Sequence, residues 1–213
     1  MKIGNRNLRQ LYWVFSRKEN YIALINFFRI YKNPLLQIFN EFFGTHKFPK
    51  VISLVPYKSN FEALNAEDMA TINAVFCRED YKINEDKKNI IIDIGSNRGF
   101  TIGYFLSKNI NNFVYGFEPD RKNFKIMQRN ISQFNGRYDV EESAVSDEAG
   151  ILKFYSEKTG KYGALESPSA DSENISSYDV KVLCINDILE KVLSVHERVN
   201  VIKIDTEGHE RKI

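Results

Sequence analysis

The stretch NIIIDIGSNRGFTIG, residues 89–103, decides what the rest of the chain can form. Three consecutive isoleucines before Asp93 are typical of a strand buried on both faces, as in a parallel sheet. The glycines that follow predict a tight turn where the backbone comes close to another group. The apolar pattern then restarts at helical spacing with Phe100, Tyr104 and Phe105. The stretch therefore predicts a strand, a glycine turn and a helix whose N-terminus presents backbone N–H groups to a small molecule.

Downstream of this stretch, predicted strands alternate with helices, which favours an α/β fold with a Rossmann-like, doubly wound, mostly parallel sheet. The predicted elements are helix Phe100–Lys108, strand Phe113–Phe117, a helix capped by Asp120, strand Tyr138–Val145, antiparallel strand Ile151–Tyr155, strand Val180–Cys184, helix Asp187–Leu193 and buried strand Val199–Ile204. The segment Gly160–Ser177 is rich in Ser, Gly and acids, so we expect a surface loop. Because the chain stops soon after the last strand, we expect the sheet to be incomplete at the C-terminus.

The front of the chain differs from the rest in charge. Residues 1–60 contain ten Lys or Arg against two Glu, a local net of +8, whereas the whole chain of 213 residues carries +2. We expect a basic, aromatic helical extension over residues 1–50 and the main domain over residues 51–213. Two interpretations of residues 1–48 stay open: helices packed on the main domain, or a segment lying on an anionic membrane surface.

Local motifs divide this front part. A helix around residues 22–28 should break at Asn33-Pro34, and a second helix, Leu35–Phe43, should end at Gly44. A short strand is predicted over Val51–Val55. Asn65 has the character of an N-cap, and the helix after it has an apolar face formed by Met69, Ile72, Val75 and Phe76.

The composition and the cysteines predict a cytoplasmic protein, which could also associate with a membrane surface. Hydrophobic content of 43% and charged content of 27% are ordinary for a globular chain. Cys77 and Cys184 lie far apart and suit buried, reduced thiols. Arg17, Lys18 and Glu19 interrupt the apolar residues near the start, so we expect no signal peptide.

The motif Asp93-x-Gly95-x-Asn97-x-Gly99 is the first candidate site. It lacks the G-x-G-x-x-G spacing of a dinucleotide fingerprint. A carboxylate here would repel a phosphate but can face an α-amino group, while N–H groups of the turn can hold a carboxylate. Asn97 tolerates left-handed backbone better than most residues. The motif, with Ser96 inside it, therefore favours a cofactor that carries an amino acid.

Two further segments complete the predicted cofactor site. Pro119 makes the preceding residue extended, so Glu118 should sit at the tip of the second strand and accept hydrogen bonds from a ribose diol. The small residues Ser143 and Ala144 could let an adenine ring pack at the sheet edge.

The segment KIDTEGHE, residues 203–210, supplies the candidate catalytic residues. Asp205 should lie at the carboxyl end of a strand beside the first one. In extended chain Asp205, Glu207 and His209 would share one face. Such a set could hold a metal, but we expect capping and substrate contacts instead. Asp205 is the first candidate for general base, and His209 is the second because His titrates near neutrality.

Several motifs together resemble the FkbM family of S-adenosylmethionine-dependent methyltransferases. They are DIGSNRG, FEPD, AVSDEAG, IKIDTEGHE and the preceding NAEDMATINAVFCREDY, and the resemblance covers residues 51–213. It implies a class I methyltransferase fold, S-adenosyl-L-methionine as cofactor, and O-methylation of a hydroxyl on a sugar, polysaccharide or natural product. By the same resemblance Asp93, Gly95, Asn97 and Gly99 hold the methionine moiety, and Glu118 holds the ribose.

Two other functions remain as alternatives. A nicotinamide-dependent oxidoreductase would use the same type of sheet, although the missing glycine fingerprint argues against it. A catalytically inactive cofactor-binding fragment would fit an incomplete sheet. We expect a small-molecule or glycan acceptor and no nucleic-acid partner.

Overall fold

The glycine turn lies in the second of two compact units, Met1–Lys82 and Ile83–Ile213. A computed structural model describes residues 2–3, 6–7, 18–157, 163–164, 175–206 and 208–213. The predicted boundary between residues 50 and 51 stays a prediction, because the compactness of a segment does not test whether it folds independently.

The first unit combines two antiparallel strand pairs with helices. Its elements are β1 (Lys2–Ile3), β2 (Arg6–Asn7), α1 (Lys18–Ile30), α2 (Pro34–Phe43), β3 (Lys50–Leu54), β4 (Ser59–Ala63), α3 (Ala66–Ile72) and a π-helical turn (Asn73–Cys77). β1 pairs with β2, and β3 pairs with β4. Its core includes the buried side chains Ile52, Leu54, Phe61, Met69, Ile72, Val75 and Phe76.

Most predicted features of the described part of this unit are confirmed. The helix break falls at Asn33-Pro34, since Pro34 occupies the first turn of α2. α2 ends at Gly44 in left-handed conformation, with φ 65°. Asn65 caps α3 by accepting a hydrogen bond from a first-turn N–H group. The sequence interpretation missed β4, in which Phe61 is the only large apolar residue.

The second unit contains two four-stranded sheets. Its elements are β5 (Ile90–Ile94), α4 (Phe100–Lys108), β6 (Phe113–Phe117), α5 (Arg121–Ile131), a 3-10 turn (Ser132–Phe134), β7 (Tyr138–Glu141), β8 (Ala144–Ser146), β9 (Gly150–Glu157), β10 (Gly163–Ala164), β11 (Ile175–Cys184), α6 (Ile185–Val195), β12 (Val201–Ile204) and a 3-10 turn (Glu210–Lys212).

The first of these sheets is parallel throughout and has the order β12–β5–β6–β7. The chain moves outward from β5 to β7 and returns on the other side of β5, so the strand order reverses between β5 and β12. Ligands of such sheets bind beyond the carboxyl ends of the strands at this reversal. The predicted Rossmann-like, doubly wound α/β fold is confirmed.

Burial explains why β5 is central. All five of its residues are buried, and Ile90, Ile92 and Ile94 join a core cluster that includes Ile188 and Val192 of α6. The end strand β12 is less covered, because Ile202 and Ile204 are exposed. The prediction of a fully buried strand here is therefore wrong.

The second sheet has the order β10–β9–β11–β8. β9 pairs antiparallel with β11, which confirms the predicted antiparallel strand and lengthens it to Glu157. The prediction of one strand over Tyr138–Val145 is wrong. The chain turns after Glu141, where the Ser143 N–H donates to the Glu141 carbonyl at 3.0 Å. β7 therefore joins the parallel sheet, while β8 pairs with β11.

The predicted loop Gly160–Ser177 is wrong at both of its described parts. Gly163–Ala164 forms β10, and β11 already begins at Ile175, because its antiparallel pairing with β9 extends to Glu157. The rest of the predicted loop lies outside the described residues, as do Tyr12, Trp13 and Phe15 of the front segment. Among the described helices, none combines the length and the apolar character needed to span a bilayer.

Candidate active site

A pocket opens at the carboxyl edge of the parallel sheet, where the strand order reverses. Its walls come from the ends of β5 and β6, the start of β8, one residue of β9 and the segment after β12. The predicted residues that line it are Gly95, Asn97, Glu118, Pro119, Ser143, Ala144, Asp205 and His209. Asp93, Ser96 and Gly99 are not among the lining residues, and Glu207 lies outside the described residues.

The turn after β5 is built on left-handed backbone, as predicted. Gly95, Asn97 and Gly99 have φ values of 76°, 49° and 79°. An added Cβ on Gly95 would lie 1.9 Å from the carbonyl oxygen of Asp205, and one on Gly99 would lie 2.8 Å from Met127 Cγ. The absence of a side chain at Gly95 thus leaves room for the segment after β12. The absence of one at Gly99 lets the start of α4 pack closely on α5.

The N–H groups of this turn already have acceptors. The Gly95 and Ser96 N–H groups both donate to the Phe117 carbonyl at 3.0 Å, and the Asn97 N–H donates to Glu118 Oε2 at 2.7 Å. The Gly99 N–H donates to the Ser96 carbonyl at 2.9 Å. The expectation that N–H groups of the turn are free to hold a carboxylate is therefore wrong for these four. Three of them bind the turn to Phe117 and Glu118, and that of Gly99 closes the turn on itself.

Glu118 is the buried carboxylate of the pocket. Its other oxygen, Oε1, accepts a hydrogen bond from the Asp120 N–H at 2.9 Å. Burial raises the pKa of Glu118 to about 7, although the hydrogen bonds from Asp120 and Asn97 lower it and the nearby Asp120 charge raises it further. Each oxygen has a second lone pair beyond its backbone donor, so Glu118 can still accept hydrogen bonds from a ligand.

Asp93 binds neighbouring side chains instead of lining the pocket. It is fully buried, its Oδ1 lies 3.0 Å from Lys203 Nζ, and its Oδ2 accepts a hydrogen bond from the Thr101 hydroxyl. Lys203 Nζ also donates to the Gly95 carbonyl at 2.6 Å. This arrangement does not support the expected direct contact between Asp93 and an α-amino group, because the carboxylate is occupied.

Sequence reasoning did not assign a role to Lys203. Lys203 and Asp93 are directly paired residues in the parallel register of β12 and β5. The sequence did contain an indication of this ion pair: the apolar run VIKI includes one lysine, and the apolar run IIIDI includes one aspartate. Both side chains are buried, and two buried opposite charges must pair, since an unpaired buried charge is costly.

The segment after β12 does not continue as extended chain. Gly208 has φ 106°, and Glu210 closes the turn by accepting from the Thr206 N–H at 2.9 Å and the Gly208 N–H at 3.1 Å. The expectation that Asp205 and His209 share a face of an extended strand is therefore wrong. Both nevertheless line the pocket, with Asp205 exposed and His209 buried.

Two buried polar atoms of the lining side chains have no hydrogen-bond partner within the described part of the chain. They are Ser143 Oγ and His209 Nδ1. The other His209 nitrogen, Nε2, lies 3.0 Å from Ser146 Oγ. Buried polar groups are normally satisfied by protein, ligand or ordered water, so these two atoms are the candidates for contact with a polar ligand.

A metal centre has no support in the described ranges, which contain no cluster of three His, Cys, Asp or Glu side chains that could hold an ion. Glu207, the third member of the set Asp205, Glu207 and His209, lies outside these ranges, so the expectation that this set holds no metal stays a prediction.

Parts of the chain are similar to known proteins. The chain is similar to a solved structure from Pyrococcus horikoshii, provisionally assigned as an RNA methyltransferase, with 16% identity and a TM-score of 0.24. The match covers 59% of this chain and 49% of that one, so the chain spans about half the length of that protein. No curated protein matches the chain significantly. Residues 93–213 match the methyltransferase FkbM domain model. Because this match spans more than half of its length, the chain belongs to the FkbM methyltransferase family.

Proposed function

We propose that the chain is an S-adenosylmethionine-dependent O-methyltransferase whose acceptor is a hydroxyl on a sugar, polysaccharide or natural product. Methyltransferases of this kind usually use S-adenosylmethionine. The observation that carries the proposal is the buried Glu118 carboxylate at the end of β6, inside a pocket at the strand-order reversal of a chain from this family.

The pocket residues fit a nucleoside. Glu118 would accept hydrogen bonds from the ribose hydroxyls. Ala144 and Val145 are buried, apolar and small enough to pack against an adenine ring. The Ser143 hydroxyl, which lacks a partner among the described residues, would donate to or accept from a ring nitrogen.

The methionine moiety would lie along the glycine turn. Gly95, Asn97 and Asp205 line this side of the pocket. The exposed Asp205 carboxylate offers a partner for the α-amino group as well as a candidate base. Asp93 would act indirectly, since its ion pair with Lys203 holds the lysine against the Gly95 carbonyl.

S-adenosylmethionine supplies an activated methyl group, because its sulfonium leaves as a neutral thioether. What remains for the chain is to align the acceptor hydroxyl and to take its proton. Alignment of reacting groups can contribute about 7–11 kcal/mol to the rate. Asp205 and His209 are the two lining side chains that we assign to proton removal, which is worth on the order of 10²–10⁴-fold in rate.

Product analysis tests this proposal. The chain is incubated with S-adenosylmethionine and a series of saccharides, polysaccharides and hydroxylated natural products, with RNA as a further acceptor, and S-adenosylhomocysteine is measured. We expect turnover with a hydroxyl acceptor and none with RNA. Transfer only to RNA contradicts the proposed acceptor class, and transfer only to a nitrogen acceptor contradicts O-methylation. Tight cofactor binding without turnover on any acceptor favours a binding module.

The base assignment has its own test within the same assay. Asp205→Asn and His209→Gln should each lower kcat for a hydroxyl acceptor, since each removes a group able to take a proton. If both variants left methyl transfer unchanged, the assignment of the base to these residues would be wrong.

A further inference from the structure

In the second unit, His209 is connected to Asp147 through Ser146. Ser146, the last residue of β8, donates its hydroxyl hydrogen to Asp147 Oδ1 at 2.8 Å. The same oxygen, Ser146 Oγ, lies 3.0 Å from His209 Nε2. Ser146 and His209 are both buried, whereas Asp147 is exposed.

These contacts determine which nitrogen of His209 carries the proton. A hydroxyl has a single hydrogen, and Ser146 already gives it to Asp147. Ser146 Oγ can therefore only accept from His209, so Nε2 must be the protonated nitrogen. Nδ1 then has a bare lone pair, and it is the buried nitrogen without a partner in the described residues.

We propose that Asp147 and Ser146 are positioning residues that hold His209 in the Nε2–H tautomer, so that Nδ1 takes the proton of the acceptor hydroxyl. This proposal rests on the proposed methyl transfer. As the hydroxyl oxygen bonds to the methyl carbon, the carbon–sulfur bond breaks with its electron pair going to sulfur. The hydroxyl proton passes to Nδ1, and the resulting imidazolium releases it to solvent.

Several other charged groups lie near His209. Asp147 faces its Nε2 side through Ser146, and the hydroxyl of Ser146 lowers the pKa of Asp147, which keeps that carboxylate charged. Asp205 and Glu118 line the same pocket. Lys212, in the turn that follows, donates its backbone N–H to the His209 carbonyl at 3.0 Å, and its positive charge also lowers the pKa of Asp147.

The tautomer can be measured without any turnover. A ¹⁵N–¹H long-range correlation spectrum of the histidine-labelled chain distinguishes Nε2–H from Nδ1–H imidazole. We expect Nε2–H for His209, and loss of that preference in Ser146→Ala. A resonance typical of Nδ1–H contradicts the proposal, whether or not an acceptor for methyl transfer has been found.

Kinetics test the catalytic part. In His209→Gln the side-chain amide can still donate to Ser146, so we expect unchanged S-adenosylhomocysteine affinity and a kcat lower by about 100-fold. Ser146→Ala and Asp147→Asn should lower kcat about tenfold, with KM nearly unchanged. Both should move the low-pH limb of kcat to lower pH, because the imidazolium loses the support of Asp147.

Matched variants complete this test. Ser146→Thr keeps the hydroxyl and should restore the wild-type pH profile, and Glu148→Gln removes a neighbouring exposed acid and should leave the profile in place. Failure of methyl transfer in every variant, including wild type, contradicts the proposed function instead. A wild-type pH profile in Ser146→Ala, with full kcat in His209→Gln, would show that Asp147 and Ser146 do not act through His209.

An independent observation concerns the first unit. The two helices α1 and α2 expose large apolar side chains, namely Tyr21, Ile22, Leu24, Ile25, Phe28, Leu35, Leu36, Ile38, Phe39 and Phe43. On α1 they occupy one side of the helix, since Ala23, Asn26, Phe27 and Ile30 on the other side are half-buried or buried. Contiguous apolar surface of this kind usually marks an interaction site.

The charge around this apolar surface indicates what it meets. Arg29, Lys32 and Lys47 are exposed on or beside the two helices, within the front 60 residues of net charge +8. Apolar side chains flanked by basic ones are typical of helices that lie in the plane of an anionic lipid surface. We propose that the α1–α2 pair binds the chain peripherally to an anionic membrane.

Vesicle sedimentation tests this proposal. We expect sedimentation with phosphatidylcholine–phosphatidylglycerol vesicles, and about tenfold weaker binding to phosphatidylcholine alone or at high salt. Ile25→Glu and Leu35→Glu should each weaken binding about tenfold. Ile110→Glu, at an exposed isoleucine of the second unit, is the matched control and should have no effect.

Light scattering tests whether the apolar surface of α1 and α2 binds a second copy of the chain instead of a membrane. A chain that fails to sediment with anionic vesicles, yet forms a dimer that Leu35→Glu dissociates, would show that α1 and α2 meet a second copy of the chain. That result overturns membrane binding.

Discussion

At the scale of single residues, Glu118 links the stability of the fold to pH. Its carboxyl group is buried, and burial raises its pKa from 4.5 to about 7. Between pH 4.5 and about pH 7, Glu118 is therefore protonated in the folded protein but already ionised in the unfolded chain. The stabilisation of the fold by this proton is complete below pH 4.5 and is lost as the pH rises through about 7.

We expect Glu118→Gln, which cannot ionise, to flatten this pH dependence. Between about pH 5 and pH 8, the fall in the free energy of unfolding should be smaller by about 1–3 kcal/mol than in wild type. Urea unfolding at several pH values measures it. Glu148→Gln, at an exposed acid, serves as control. Equal falls in the two variants would show that Glu118 does not titrate in this window.

The close approach at Gly95 gives a second prediction. Gly95 and Gly136 have nearly the same backbone, with φ of 76° and 80°, but only Gly95 faces the Asp205 carbonyl, while nothing lies within 4 Å of an added Cβ on Gly136. Gly136→Ala should cost about 1–2 kcal/mol from backbone strain alone. Gly95→Ala should cost at least ~2 kcal/mol more, because overpacking is added.

Chemical denaturation of both variants compares the costs directly. If Gly95→Ala and Gly136→Ala lose the same stability, the segment after β12 does not pack on Gly95 as described.

Single residues also show how far the sequence could predict the site. Glu118 could be placed because a proline after an apolar strand determines where that strand ends. The partner of Asp93 could not, since it depends on which residue of a distant strand lies opposite. Ser146 was missed for the same reason: a serine has a role only through the His209 side chain that reaches it from another segment.

At the scale of elements, β5 and β12 are joined by one buried ion pair. Asp93 and Lys203 are exposed by 0% and 5% of their side-chain area and lie 3.0 Å apart. Removing one partner should leave a buried charge without compensation. We expect Asp93→Asn and Lys203→Met to cost about 3–5 kcal/mol each, and the double variant to cost about 1–3 kcal/mol less than their sum.

A double-mutant cycle measured by urea unfolding tests this coupling. The exposed pair Lys191–Asp139, at 3.1 Å and with both side chains at least half exposed, is the control, and its coupling should stay below about 1 kcal/mol. Additive losses at Asp93 and Lys203 would contradict the pairing of β5 with β12 through these charges.

The elements that sequence patterns predicted best are those with local causes. β5, α4 and β6 have the predicted bounds, because apolar runs and glycines mark them unambiguously. Tyr138–Val145 was predicted as one strand, yet it divides between two sheets. That division comes from the partners β6 and β11, which no local pattern contains.

At the scale of the whole molecule, the position of the pocket follows from topology. The return of the chain to the free side of β5 creates the strand-order reversal, and the candidate residues from four separated segments meet there. The alternation of strands and helices was enough to predict this meeting place. The acceptor was beyond prediction, because the strand–helix pattern places the pocket without specifying which molecule enters it.

The central claim is that this pocket binds S-adenosylmethionine through Glu118, and isothermal titration with S-adenosylhomocysteine and with NAD measures it most directly. We predict that S-adenosylhomocysteine binds one molecule per chain and that NAD does not bind. Glu118→Ala should weaken binding at least about tenfold, because the hydrogen bonds between the buried carboxyl group and the ribose are lost, whereas Glu148→Ala should not. Binding of NAD without S-adenosylhomocysteine, or full affinity in Glu118→Ala, would contradict the account.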